Sequence, residues 1–203
     1  MNGRLRPRSF LEATMNLRSL APRWLAHRER KAQPTLLLLH ATAGGTAASS
    51  IEHLRRVNLS YHYILARDGR DAPSFEKADG SKPVIYYCAP ATAQAFHCGS
   101  LIPPPVGDGS IARNSIGISL ANIQRAARPE PYPAAQLEAL DELIEMLMEE
   151  YSTLLYLSTH AAVQPWNRVD PLGLDGKSIA ARHGLRWWQP SAEQVRAYAP
   201  RKG

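Results

Sequence analysis

The stretch Thr35–Gly45, TLLLLHATAGG, decides how the rest of the chain is read. Five strand-compatible residues follow Pro34 and end at His40, and a loop of small residues comes next. So short and apolar a run predicts a buried central strand. His40 then falls at the strand's C-terminal edge, where open α/β sheets place their ligands. A second run, Leu154–Thr159, ends in the same way at His160, and Asp170 follows in NRVDP. Two histidines and a carboxylate, each just beyond an apolar strand, can converge on one metal.

Working outward, Thr46 to Arg56 reads as a helix with Thr46 as N-cap after the Gly44-Gly45 turn. Ile51 and Leu54 face the sheet, and His53 lies off that face as a surface histidine. Tyr61–Ala66 is a second strand closed by an Asp-Gly turn. Strand alternation puts Tyr61 and Tyr63 on one face and His62 on the other. Asp71–Lys82 is a polar loop, and Pro83–Cys88 is a third strand. Leu101–Arg113, rich in proline and glycine, reads as a groove wall, and Ile116–Leu120 as the next strand. Asn114 and Asn122 flank that strand, either to bind sugar or peptide groups or to satisfy turn backbone. Pro133–Tyr151 is the clearest helix. Leu137, Leu140, Ile144, Leu147 and Tyr151 recur at steps of three and four, with Leu143 and Met148 widening the stripe. Ala161–Leu174 is the loop carrying Asp170. Ser178–His183 is a short helix, and Trp187 and Trp188 cap the core. The GKS sequence near Gly176 is no phosphate loop, because the motif's first glycine is missing.

Composition limits the function. The 203 residues suit one domain with a full core. A hydrophobic content of 44% with 21% charged residues is that of an ordinary globular protein. A net charge of +6 favours anionic partners, such as a wall carrying anionic polymers, or serves solubility alone. No RNA-binding signature, zinc finger or aromatic-interleaved basic repeat supports nucleic acid. Two cysteines, Cys88 and Cys98, make no disulfide framework. Their apolar neighbours favour buried thiols, with a single bridge as the alternative. No segment reaches the roughly 20 apolar residues of a membrane span. The arginine-rich N-terminus lacks the apolar core of a signal peptide, so synthesis and initial residence in the cytoplasm are expected. Residues 1–33 read as an extension, with a weak helix over Phe10–Leu20, residues 34–190 as the domain, and residues 191–203 as a tail.

LLLLHATAGG, SYHYILARDGR, AFHCG, NSIGISLAN and STHAAVQPWNRVDP stand in the order found in zinc N-acetylmuramoyl-L-alanine amidases. Over roughly Pro34 to Pro190 the chain resembles that family, which includes phage lysozyme-type amidases, bacterial anhydromuropeptide amidases and animal peptidoglycan-recognition proteins. The resemblance implies a single α/β domain, a central mixed β-sheet flanked by helices. It implies one Zn2+ per chain on His40, His160 and Asp170, and peptidoglycan or a muropeptide as substrate. Two neutral imidazoles and one carboxylate leave a zinc site with net charge +1, which lowers the pKa of bound water and polarises a carbonyl.

The resemblance also places Tyr61 beside the zinc and His97 in the substrate groove, with Phe96 where the family has tryptophan. Arg168 stands where the family commonly has lysine. It can stabilise negative charge but does not readily release a proton. Intracellular members carry a glutamate where this chain has Ser119, in GISL. The pattern therefore favours the phage-type pairing of a tyrosine with a cation. The function expected is cleavage of the amide between N-acetylmuramic acid and L-alanine by a phage or prophage endolysin acting on the bacterial wall. The alternatives are a cytoplasmic muropeptide-recycling amidase and a non-catalytic peptidoglycan-binding module. The retained ligand set argues against pure binding.

Overall fold

The computed structural model describes residues 15–69, 71, 82–125 and 128–200. The strand expected at the centre is there: β3 (Leu36–Ala41) is buried along its whole length. It pairs in parallel with β7 (Ser115–Leu120) on one side and with β8 (Tyr156–Thr159) on the other. The remaining strands of this sheet are β1 (Leu17–Ser19), β4 (Tyr63–Leu65), β5 (Ile85–Tyr87) and β9 (Arg186–Trp187). The seven strands run in the order β1-β5-β4-β7-β3-β8-β9. All neighbours are parallel except β4 and β5, so the sheet is mixed. A separate antiparallel pair joins β2 (His27–Glu29) to β6 (Ala93–Ala95).

Strand alternation divides the core into layers. Leu37 and Leu39 face the larger cluster, under α3 (Ala134–Glu150) and α5 (Gly176–Arg182). Leu140, Leu143, Ile144 and Leu147 carry the α3 stripe as its periodicity predicts, with Met146 added. Asp141 of α3 ties α5 down, bonded to Arg182 at 2.9 Å and to His183 at 2.8 Å. Leu36 and Leu38 point the other way, toward Ile111 of α2 (Ile111–Asn114) and Val163 of α4 (His160–Val163). On this second face Ile64 and Ala66 meet α1 (Ala47–Val57) through Ala47, Ile51 and Leu54. Thr46 caps α1 as expected, its hydroxyl accepting the Ser49 amide at 3.1 Å. Trp187 packs on the first cluster and Trp188 on the second face, so the pair does cap the core.

Four readings change. The described part of the N-terminal extension belongs to the fold: β1 extends the sheet, Leu20 and Leu25 are buried, and β2 pairs with β6. Phe10–Thr14 of the suggested helix lie outside the described residues, and Leu17–Ser19 is strand. The second strand starts at Tyr63 rather than Tyr61. Tyr61 and His62 precede the regular ladder, so the alternation argument does not reach them. Tyr63 stacks on Tyr87 in the larger cluster with centroids 4.9 Å apart, whereas Tyr61 turns to the other face. The Asp170 loop opens with a helical turn, α4, and the tail contains α6 (Ala192–Tyr198), whose Val195 packs on the second face. Cys88 and Cys98 are both free, Cys88 fully buried.

Arg30 explains why the extension stays docked. Its guanidinium donates to the carbonyls of Ala93 (2.9 Å), Arg113 (2.7 Å) and Ser115 (2.8 Å). Burial lowers its pKa to about 10, still well above neutrality. Arg30→Met keeps much of the stem but leaves three carbonyls without these donors. Each such loss costs roughly 1–3 kcal/mol. The variant is expected to lose at least about 2 kcal/mol in urea unfolding. A wild-type midpoint would show that the segment is only laid against the domain.

Candidate metal centre and groove

Three separate segments meet at the C-terminal edge of β3 and β8. β3 delivers His40 at its penultimate residue, and the end of β8 hands over to His160, the first residue of α4. The loop after α4 brings Asp170 back. The Ala41 amide donates to its Oδ2 at 3.3 Å, and its carbonyl accepts from the Ala161 amide at 2.8 Å. Nδ1 of His160 lies 3.2 Å from the Asp170 carboxylate, and Nδ1 of His40 lies 3.7 Å from it. The three residues each offer a ligand atom, all within 4.8 Å of one another. Their neighbourhood is dry: His40 is fully buried, and His160 is 6% exposed.

The donor set suits a cation. Among the described residues nothing hydrogen-bonds the buried His40 Nδ1 and His160 Nε2, a costly state for a polar atom unless something else engages it. Burial, then the neighbouring His160, lowers the His40 pKa to about 4, so its imidazole is neutral and keeps a lone pair for a metal. For Asp170, burial acts to raise the carboxyl. The hydrogen bond with His160 at 3.2 Å and the nearby His40 imidazole outweigh that and hold it well below the usual carboxylate range. Two neutral imidazoles and an ionised carboxylate are the ligands a catalytic zinc site uses.

His160 and Asp170 line an open groove of about 690 Å³, and His40 is fully buried against them. Thr42, Ala43 and Gly44 line one wall, Ser49 and His53 of α1 another, and Arg168 and Val169 the rim. Tyr61 leans over His40 with ring centroids 4.9 Å apart. Burial pushes its phenol above the ordinary range, with Asp170 adding to the rise and the nearby Ser119 offsetting part of it. The phenol therefore keeps its proton and can donate. Ser119 is the register partner of His40 across β3 and β7, and among the described residues its buried hydroxyl has no hydrogen-bond partner. Arg168 is exposed at the groove rim, its guanidinium bonded at 3.3 Å to the Asn167 carbonyl.

The three expected groove binders fare differently. His97 lines the groove but is only 7% exposed, and both of its ring nitrogens meet protein groups. Asn114 sits at the start of β7, the opposite end from His40. Its amide donates to the Asp108 and Ser110 carbonyls, so it satisfies turn backbone. Asn122 is buried as well, donating to the Glu130 carbonyl and accepting from Gln124. It holds Gln124, which does line the groove. Gln124, Thr42 and His53 were not expected there. His53 is exposed as anticipated, but on the groove side of α1. The small-residue loop after His40 was the available signal for Thr42.

A mixed sheet flanked by helices, with two histidines and an aspartate gathered at the C-terminal edge of its central strands beside a groove, defines an α/β protein with a candidate metal centre. The N-acetylmuramoyl-L-alanine amidase family profile matches residues 30–173. The chain belongs to that family, and it is an amidase by class. Among solved structures it is similar to the amidase AmiD of E. coli, in complex with anhydro-N-acetylmuramic acid-L-Ala-D-gamma-Glu-L-Lys. That match has 26% identity and a TM-score of 0.58 over 87% of this chain and 67% of that one. It is also similar to AMPDH3 of Pseudomonas aeruginosa (22%, TM-score 0.59, 86% and 78%). The Ph2119 endolysin of a Thermus scotoductus bacteriophage shares the fold at 21% identity and TM-score 0.54, over 79% and 90% of the chains. No curated protein sequence matches the chain significantly.

Proposed function

We propose that this amidase is zinc-dependent and hydrolyses the amide between the lactyl group of N-acetylmuramic acid and L-alanine, as a phage or prophage endolysin. The observation that carries the metal is the unpartnered, buried Nδ1 of His40, set against His160 and Asp170. His40, His160 and Asp170 would hold one zinc ion, which, when bound, lowers the pKa of water and polarises the scissile carbonyl. The chain's own residues supply the rest. Tyr61, held neutral by burial, donates a hydrogen bond toward the oxygen that gains charge. Arg168, at the rim, sets a permanent positive charge against the same oxygen. Ser119 offers no basicity near neutral pH. The endolysin reading rests on this tyrosine–cation pairing without a glutamate at residue 119.

Digestion of purified peptidoglycan tests the reaction. Stem peptides beginning with L-alanine are expected, with no new reducing sugar ends. New reducing ends without free L-alanine amino groups would mean a glycosidase and overturn the reading. The groove also favours a second substrate. The structure of AmiD, at 26% identity, holds a soluble anhydromuropeptide. Comparing rates on intact sacculi and on soluble anhydromuropeptides separates the two. An endolysin cuts the sacculi, and a recycling enzyme cuts only the soluble fragments.

A further inference from the structure

We infer that His97 and Ser115 are positioning residues that fix the proton of His40 on Nε2, leaving Nδ1 bare toward Asp170. This rests on the reading of His40 as a metal ligand. The argument starts at the far end. The Ser115 hydroxyl lies 2.8 Å from the Ile111 carbonyl, which can only accept, so its single hydrogen goes there. That leaves Ser115 Oγ as an acceptor for His97 Nε2, 3.3 Å away, and places a proton on that nitrogen. A neutral imidazole carries one proton, so His97 Nδ1 is bare. Nδ1 lies 3.0 Å from His40 Nε2, which must donate to it. The remaining nitrogen of His40 is the unpartnered Nδ1 that faces Asp170 at 3.7 Å.

Two neighbours keep the relay in this state. His62 lies 5.6 Å from His97, centroid to centroid, but is committed elsewhere. Its Nδ1 accepts from the Gly117 amide at 2.9 Å, and its Nε2 lies 3.0 Å from both the Ala93 carbonyl and the Arg30 guanidinium, so neither ring nitrogen is left for His97. Among the described residues no carboxylate hydrogen-bonds His97, so nothing favours a second proton on it. Gly117 supplies the space. A Cβ there would lie 2.6 Å from Cγ and Nδ1 of the His97 ring. A glycine inside a buried strand marks such a close approach.

Partners that orient a ligating histidine are worth about 10–100-fold in metal affinity. The test compares His97→Asn with His97→Leu. Asparagine places an amide oxygen close to where Nδ1 stood and can accept from His40, whereas leucine cannot. Zinc affinity is measured by competition with a chromophoric chelator. In metal-free, ¹⁵N-histidine-labelled protein, NMR reads which nitrogen of His40 carries the proton. The wild type is expected to carry it on Nε2. His97→Leu should bind zinc about 10–100-fold more weakly, and His97→Asn should stay within several-fold of wild type. Ser115→Ala should release the His97 proton position while the fold persists. A His40 proton on Nδ1 in the wild type, or wild-type zinc affinity in His97→Leu, would overturn the proposal. Neither readout uses peptidoglycan, so a wrong substrate leaves them intact. If the wild type binds no zinc, the metal reading fails, and the NMR spectrum still decides the relay.

Discussion

Replacing His160 by alanine is expected to abolish both zinc retention and peptidoglycan hydrolysis. The loss should exceed the roughly 10²-fold that removing a merely supporting residue costs. The physical reason is the shape of the site. His160 approaches Asp170 within 3.2 Å, and among the described residues only His40 completes the set. Two ligands that remain cannot hold a hydrated cation against solvent as three do, and the vacated volume opens to the groove. The fold should survive, because α4 keeps its Thr159 cap, whose hydroxyl accepts the Ala162 amide. Metal content by elemental analysis and circular dichroism on the same sample separate the two effects. A His40→Ala, His160→Ala double variant that still carried full zinc would sink the site assignment.

The second large effect is expected at Tyr61 and Arg168, with zinc still bound. Tyr61→Phe removes a hydroxyl that burial keeps protonated above the cluster. An activity loss of roughly 10²-fold or more is expected, the scale of one oxyanion donor or proton-transfer group. Arg168→Ala should fall similarly, since a cation at the rim meets charge that develops only during reaction. Arg168→Lys should keep substantial activity, because the charge stays although the planar fork is lost. Ser119→Ala should retain much of the rate, because among the described residues its hydroxyl makes no hydrogen bond. The measurement is initial rate on purified peptidoglycan, with metal content checked for each variant. Near-normal Tyr61→Phe and Arg168→Ala beside a dead Ser119→Ala would place the chemistry around Ser119 instead.

The apolar runs around His40 and His160 were legible because buried parallel strands need continuous hydrophobic sequence, and both runs have it. The α3 stripe was legible for the same kind of reason, since a 17-residue helix repeats its period several times. Three-residue elements give no such repetition. Ala93–Ala95 reads AQA and β2 reads HRE, and neither shows a strand pattern until each is seen paired with the other. Tyr61 failed for a related reason: alternation was counted from two residues before the strand begins. Of the site, the gathering of His40, His160 and Asp170 could be read from the chain, but the surroundings of His97 could not. Its motif suggested a substrate contact, and only its distances to His40 and Ser115 show that both ring nitrogens are occupied. Gly117 was the overlooked clue, a residue without a side chain in the middle of a buried strand.

The pairing of β3 with β8 also sets a timetable. The Ala41 amide meets the Asp170 carboxylate across 129 residues of chain. Closing so long a loop is slow, and only docking of the final parallel strands offsets its entropy. While the chain is being made, His40 exists as half a site, with β7 available beside it but neither His160 nor Asp170 in place. Bond-cutting capacity therefore switches on as one event at the end of folding, when β8 docks. A fragment that ends before β8 is therefore expected to bind no zinc on the metal reading proposed above.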